Sequence, residues 1–217
     1  MELLKGKTPS ESRVEMVEVV LPNDANPLGN ILGGTVMHLI DMAGAIAAHR
    51  HSRSVVVTAA MDKLEFLSPI KVGQLIILHA QVTCAFRTSV EVEVKVFSED
   101  VITGTRRPTS TAFLTFVAID DKGHPRAIPP LIAETEEERQ KMDEAHRRRR
   151  ERLKEKYLLR FGFWVADFES RKPGNSSHDG ELAEHVLIEG IASVFLEPVQ
   201  TQNAALELIR HLAIEKR

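Results

Sequence analysis

Residues 24–49 read DANPLGNILGGTVMHLIDMAGAIAAH, and between Asp24 and Arg50 the only formal charge is Asp41. From about Leu32 to His49 the apolar residues are too continuous, and too rich in alanine, for a strand. The stretch predicts a buried helix, hydrophobic all round. The Asn, Pro and Gly of NDANPLGNILGG before it predict a loop. A helix with no polar face needs wrapping, so the flanking segments decide the architecture.

Upstream, SRVEMVEVVLP sets Val14, Met16, Val19 and Leu21 against Glu15 and Glu18, a short first strand ended by Pro22. Downstream come four β-rich runs: Arg53 to Leu67, Gln74 to Phe86, Ser89 to Phe97, and Thr109 to Gly123. Pro69 and Gly73 mark a turn, and only Arg87 and Thr88 part the second run from the third, which predicts a hairpin. Val90, Val92, Val94 and Val96 alternate with Glu91, Glu93 and Lys95, so one face should be buried and the other wet. SEDVITGTRRP predicts a loop. An antiparallel sheet wrapped around one helix, an α+β architecture, buries these parts most economically.

After HPRAIPPL the composition changes. AETEEERQKMDEAHRRRRERLKEKYLLR is acidic early and basic late, the order that complements a helix dipole. Beyond it the chain predicts a short aromatic strand at FGFWVADF, a Gly/Ser/Pro turn, an apolar run and a last amphipathic helix starting near Thr201. The domains are read as 1–133 (the wrapped helix), 134–157 (a charged helical extension) and 158–217 (an appendage of unknown role).

The 217 residues, 43% hydrophobic and 27% charged with a net charge of -3, show no general pull toward nucleic acid or membrane. The lone Cys84 excludes an intrachain disulfide, and no Cys/His cluster has zinc spacing, so the expectations are no metal and a cytoplasmic location. No run reaches membrane-spanning length.

Asp41 is then the unusual residue. Its helical neighbours would be Met37, His38, Gly44 and Ala45, with no lysine or arginine among them. Burying an unpaired carboxylate costs several kcal/mol or raises its pKa. One reading places Asp41 near a surface end of the helix or satisfied by backbone amides elsewhere. The other makes it a general base or nucleophile in a cleft. Gly33 and Gly34 favour the second, because glycines at a helix N-terminus let a carbonyl approach free N–H groups, a natural oxyanion hole. Asn26 adds a neutral side chain able to orient water or a carbonyl. GNILGG lacks the Lys and Ser/Thr of a P-loop and does not fit G-x-G-x-x-G.

NPLGNILGGTVMHLIDMAGAIAAHRH, followed by VVVTAAMDKLEFLSPIKVGQLI, RTSVEVEVKVFSED and TSTAFLTFVAIDDKGHPRAIPPL, resembles the hotdog-fold acyl-CoA thioesterases of the cytosolic, brain-type acyl-CoA hydrolase family, over about Arg13 to Tyr157. The resemblance implies a hotdog fold, a long helix wrapped by an antiparallel sheet. It implies hydrolysis of fatty acyl-CoA to free acid and CoA, and hotdog dimers commonly assembled as trimers of dimers. It places the family's loop Asn and helix Asp, contributed by two subunits, on Asn26 and Asp41, with the backbone at Gly33 and Gly34 polarising the thioester. No metal or other cofactor is implied, and CoA belongs to the substrate.

Around the substrate, Arg87, Thr88 and Ser89 match the family's RTS stretch, where a positive charge would meet the CoA phosphates. Thr58, after the helix, is read as a substrate contact or as packing, and Arg106, with Arg107, as a neighbour of the nucleotide. His38, His49 and His51 are not spaced as one metal face and are read as helix-surface or end positions. HRRRRERLKEK, with its acids interleaved, is read as a solvated face or an oligomer contact. The rival readings are a hydratase using His38, an acyl-CoA sensor without catalysis, and an RNA-binding protein using the arginine run.

Overall fold

The computed structural model describes residues 4–62 and 64–170, the last of these, 156–170, as backbone alone. The expected apolar run and the helix near Thr201 lie outside the described residues. The chain divides into two compact units, Met1–His146 and Arg147–Arg217.

In the first unit, β1 (Val14–Val19) precedes α1 (Gly33–Ser52), and β2 (Val55–Met61), β3 (Leu75–Ala85), β4 (Ser89–Glu99) and β5 (Arg106–Ile119) follow. They form one antiparallel sheet in the order β1-β3-β4-β5-β2. This is the expected sheet wrapped on one helix, a hotdog fold. Small residues let α1 lie close to the sheet. Ala43, Ala47 and Ala48 are fully buried, and a Cβ added to Gly44 would stand 3.0 Å from the ring of Phe116 on β5.

Two strands carry irregularities. β2 has a bulge between Thr58 and Ala60, and it ends at Met61 rather than near Leu67. The expected 98–108 loop shrinks to 100–105, because β5 begins at Arg106. Pro108 is accommodated where the β4–β5 register shifts between Val96 and Phe97, since a bulge spares the amide that proline lacks.

The helix is not covered all round. Leu32, Met37, His38, Ile46, His49 and Arg50 are exposed, so one face is left outside the chain's own sheet. Apolar composition told how the helix avoids water, but not that part of its face is left for something other than this sheet.

The outer face of β4 is not wet throughout either. Glu91 is fully buried and accepts a hydrogen bond from Thr83 Oγ1 at 2.8 Å. The first turns of α2 (Glu136–Ser170) lie on this face: Lys141 Nζ bridges Glu93 Oε2 at 3.1 Å and Glu137 Oε1 at 3.3 Å, and the His146 ring packs edge-on to Phe86. Burial alone would lower the Lys141 pKa, yet the carboxylates of Glu93 and Glu137 hold it above the usual lysine range. Alternation distinguishes a polar face from an apolar one; it is silent on whether a charged helix covers the polar side. α2 also carries the backbone of FGFWVADF, which is helical rather than a strand. No proline interrupts the segment, and a single Gly162 costs a helix only about 1 kcal/mol.

Candidate active site

The loop before α1 is a compact turn. Asn26 N donates to Asn30 O at 2.8 Å, Gly29 N to Asn26 O at 2.9 Å, and Gly29 takes φ +74°, where glycine is favoured. Asn26 Oδ1 accepts from the backbone N–H groups of Leu28 (2.9 Å) and Asn30 (3.2 Å). With its oxygen engaged by the turn, Asn26 has the two Nδ2 protons to offer. It is therefore a donor suited to a carbonyl or water oxygen.

The N-cap of α1 is Leu32, which has no side chain able to bond the first-turn amides. Neither Gly33 nor Gly34 needs to be glycine for the fold: both lie in ordinary helical backbone, a Cβ on Gly33 would make only van der Waals contact with Phe66 at 3.5 Å, and one on Gly34 would meet nothing. Asn26 and Gly33 line one cleft of about 310 Å³ with apolar walls that include Val36, Phe66 and Ile70.

Asp41 is half-buried, and Oδ1 accepts a hydrogen bond from Thr58 Oγ1 at 2.6 Å. Thr58 thus orients the carboxylate and leaves Oδ2 as the free acceptor. The bulge at Ala59 follows directly, so the strand irregularity sits beside the carboxylate. Both residues stand out in the sequence but their bond does not, because their separation of 17 positions carries no periodic signal.

The expected site residues fall into two groups. Asp41 stands eight residues beyond Gly33, about 12 Å along the helix axis, so no one carbonyl can touch both in a single chain. Thr58 pairs with Phe116, and Phe116 with Val90, which puts Asp41 and Thr58 toward the end of the sheet that carries Arg87, Thr88 and Ser89. Arg106 pairs with Glu99 at the other end of β4, roughly 33 Å from Ser89 at 3.3 Å per residue.

The residues expected around the nucleotide also differ among themselves. Arg87 is exposed at the β3–β4 hairpin, whose turn is closed by Phe86 N donating to Ser89 O at 2.8 Å. Ser89 is only 9% exposed, so its hydroxyl is poorly presented. Arg106 is committed to Glu99 Oε2 through Nε at 3.0 Å and Nη2 at 2.9 Å.

Among the histidines, His51 is not a surface residue. It is fully buried, Nε2 donates to Pro129 O at 2.9 Å, and burial holds its pKa below the usual imidazole range. Among the described residues no group of three His, Cys, Asp or Glu is placed to hold a metal ion, and no helix is long and apolar enough to cross a membrane.

Residues 28–105 match the thioesterase superfamily. An uncharacterized acyl-CoA thioester hydrolase of Bacillus subtilis is 41% identical over 138 residues, 64% of this chain and 80% of that one. The cytosolic acyl coenzyme A thioester hydrolase of Mus musculus is 37% identical over 145 residues, 62% of this chain and 38% of that one, so this chain spans well under half of the mouse protein's length. A solved hexameric acyl-CoA thioesterase superposes with a TM-score of 0.68 at 39% identity, covering 71% of this chain and 99% of the other. The acyl-CoA hydrolase of Staphylococcus aureus, solved with butyryl coenzyme A and coenzyme A, superposes with a TM-score of 0.64 at 35% identity, over 71% of this chain and 97% of that one. Structures of that Staphylococcus protein also exist with alanine replacing an aspartate, an asparagine and a threonine, spaced along it as Asp41, Asn26 and Thr58 are spaced here.

Proposed function

We propose that this chain, which belongs to the thioesterase superfamily, hydrolyses acyl-CoA thioesters to free acid and CoA at a site shared between two copies of itself. The observation that carries the reading is the division of the polar machinery: Asn26 and the free amides at Gly33 and Gly34 in one place, the Asp41–Thr58 pair about 12 Å away along the same helix. Two antiparallel copies bring one subunit's pair to the other's amides. The uncovered face of α1 and the exposed Val55 and Val57 of edge strand β2 supply an apolar surface for that meeting. The hexameric relative supports assembly into trimers of dimers, and the aspartate, asparagine and threonine variants of the Staphylococcus protein support the three residues as functional.

In this reading the thioester oxygen is held by the amides of Gly33 and Gly34 and by Asn26 Nδ2, each such donor contributing about 3 kcal/mol to the barrier reduction. Asp41 of the other subunit, held by Thr58, takes a proton from water as it attacks the carbonyl carbon, or attacks directly through Oδ2 to give an anhydride that water opens. The C–S bond breaks, CoA leaves as thiolate and takes up a proton. A thioester is electrophilic enough that no metal or other cofactor is required. Exposed Arg87, beside Thr88, supplies a positive charge for the CoA phosphates, whereas Ser89 and Arg106 are less available. Residues 1–133 carry this chemistry, the charged helix of 134–157 extends it, and the rest has no assigned role. The cytosolic mouse relative supports a cytoplasmic location.

The test is thiol release from an acyl-CoA chain-length series by wild type and by Asp41→Asn, which keeps an acceptor for Thr58 but cannot take a proton. Turnover that falls about a hundredfold or more in the folded variant is expected. Mixing unfolded Asn26→Ala and Asp41→Asn chains and refolding them together should restore up to roughly a quarter of wild-type activity, because half of the dimers are mixed and each holds one intact site. Wild type that binds acyl-CoA and releases no thiol would replace the enzyme with a sensor, and no rescue on mixing would return the whole site to one chain. In a single turnover in heavy-oxygen water, label in the Asp41 carboxylate would establish the anhydride route, since only water attack on the Asp41 carbonyl of an anhydride places it there.

A further inference from the structure

The cleft beside Gly33 has a polar end and an apolar interior. Val36 and Ile70, 2% and 3% exposed, form part of its floor, while Phe66 is 51% exposed and stands at its rim. The Phe66 ring is also the nearest side chain to the first residue of α1: a Cβ on Gly33 would lie 3.5 and 3.6 Å from two of its ring carbons.

The segment that carries Phe66 is not a strand, yet it is tied down. Asp62 N donates to Phe113 O at 2.9 Å, Leu67 N to Thr109 O at 2.8 Å, and Ile31 N to Ile70 O at 2.8 Å, which fastens the segment both to β5 and to the loop before α1. A half-exposed aromatic ring on irregular backbone fixed at three points has a defined position without contributing to the core. Its position is over the amide end of the helix.

We infer that Phe66 is a specificity-determining residue: its ring is the wall against which the first carbons of the acyl group pack, admitting straight chains and rejecting groups branched next to the carbonyl. This rests on the hydrolase reading above. With the thioester oxygen on the Gly33 amide, the carbon next to the carbonyl falls beside the ring before the rest of the chain reaches the Val36–Ile70 floor. A flat wall in van der Waals contact tolerates a CH₂ and clashes with an added methyl. A pocket that distinguishes one methyl group discriminates by ten- to two-hundredfold.

The experiment compares kcat/KM for n-butyryl-CoA and isobutyryl-CoA in wild type, Phe66→Ala, Phe66→Leu and Phe66→Trp, with oligomer size and circular dichroism measured alongside. The expected result is a straight-chain preference in wild type that falls about tenfold in Phe66→Ala, falls less in Phe66→Leu, and is maintained or raised in Phe66→Trp. A ratio that stays constant across the three folded variants, even if both rates drop together, would overturn the inference while leaving the hydrolase intact. Wild type inert toward both of these and toward every longer straight-chain acyl-CoA of the series would overturn the hydrolase reading and this inference with it.

Discussion

The two ends of α1 are built in opposite ways. At the C-terminal end, Lys7 Nζ donates to the carbonyls of Arg50 (3.0 Å) and His51 (2.7 Å), His51 is buried against Pro129, and Arg53 turns the chain out through a left-handed conformation at φ 51°. At the N-terminal end, Leu32 caps nothing, the two following glycines are exposed, and the first amides face a cleft. One end is closed by contacts from elsewhere in the chain. The other has been left with unfilled hydrogen-bonding capacity, which helices normally satisfy. In the proposed reaction a ligand completes that capacity, so the contrast would separate an end that stabilises the fold from an end that binds substrate.

The sharpest way to break the contrast is Gly33→Pro. Gly33 is the first helical residue and Leu32 before it is extended, at ψ 134°, so proline fits the backbone there and removes one N–H. Thiol release should fall about a hundredfold with the melting temperature nearly unchanged; equal losses of activity and stability would show that the open end is structural after all.

At the closed end the effect should be on stability and should depend on pH. Because burial holds the His51 pKa below its ordinary value, the unfolded chain takes up the proton first as pH falls below about 6.5. The folded state therefore loses stability on going down through that window and loses nothing to this group above it. His51→Gln keeps an N–H for Pro129 and cannot charge. Urea midpoints at about pH 7.5 and pH 5.5 should differ less in the variant than in wild type; equal differences would remove His51 from the acid response.

The smallest effect expected is at Arg53. A non-glycine residue in the left-handed region costs about 1 kcal/mol, so Arg53→Gly should raise the melting temperature slightly while leaving thiol release as it was. A fall in activity there would mean that the two ends of the helix are coupled.

The apolar, alanine-rich run around Asp41 was enough to predict a helix that a sheet must wrap, and the alternation in β4 and the two-residue break at Arg87–Thr88 were enough to predict the hairpin, since these patterns are local and follow the periods of helix and strand. Gly33, Gly34 and Asp41 stood out for a related reason: each is a residue type that its local setting does not need, whereas Asn26 also braces its own turn. What the residues could not show was their grouping. The Thr58–Asp41 bond joins a strand to a helix, the Arg106–Glu99 pair engages one expected substrate contact in an ion pair, and Phe66 reaches the end of α1 only because irregular backbone is fastened to β5. Burial of Glu91 and His51 depended likewise on segments distant in the chain. Secondary structure follows from neighbours a few residues apart, whereas a site is made by contacts between elements, and only the packed fold decides which of those contacts exist.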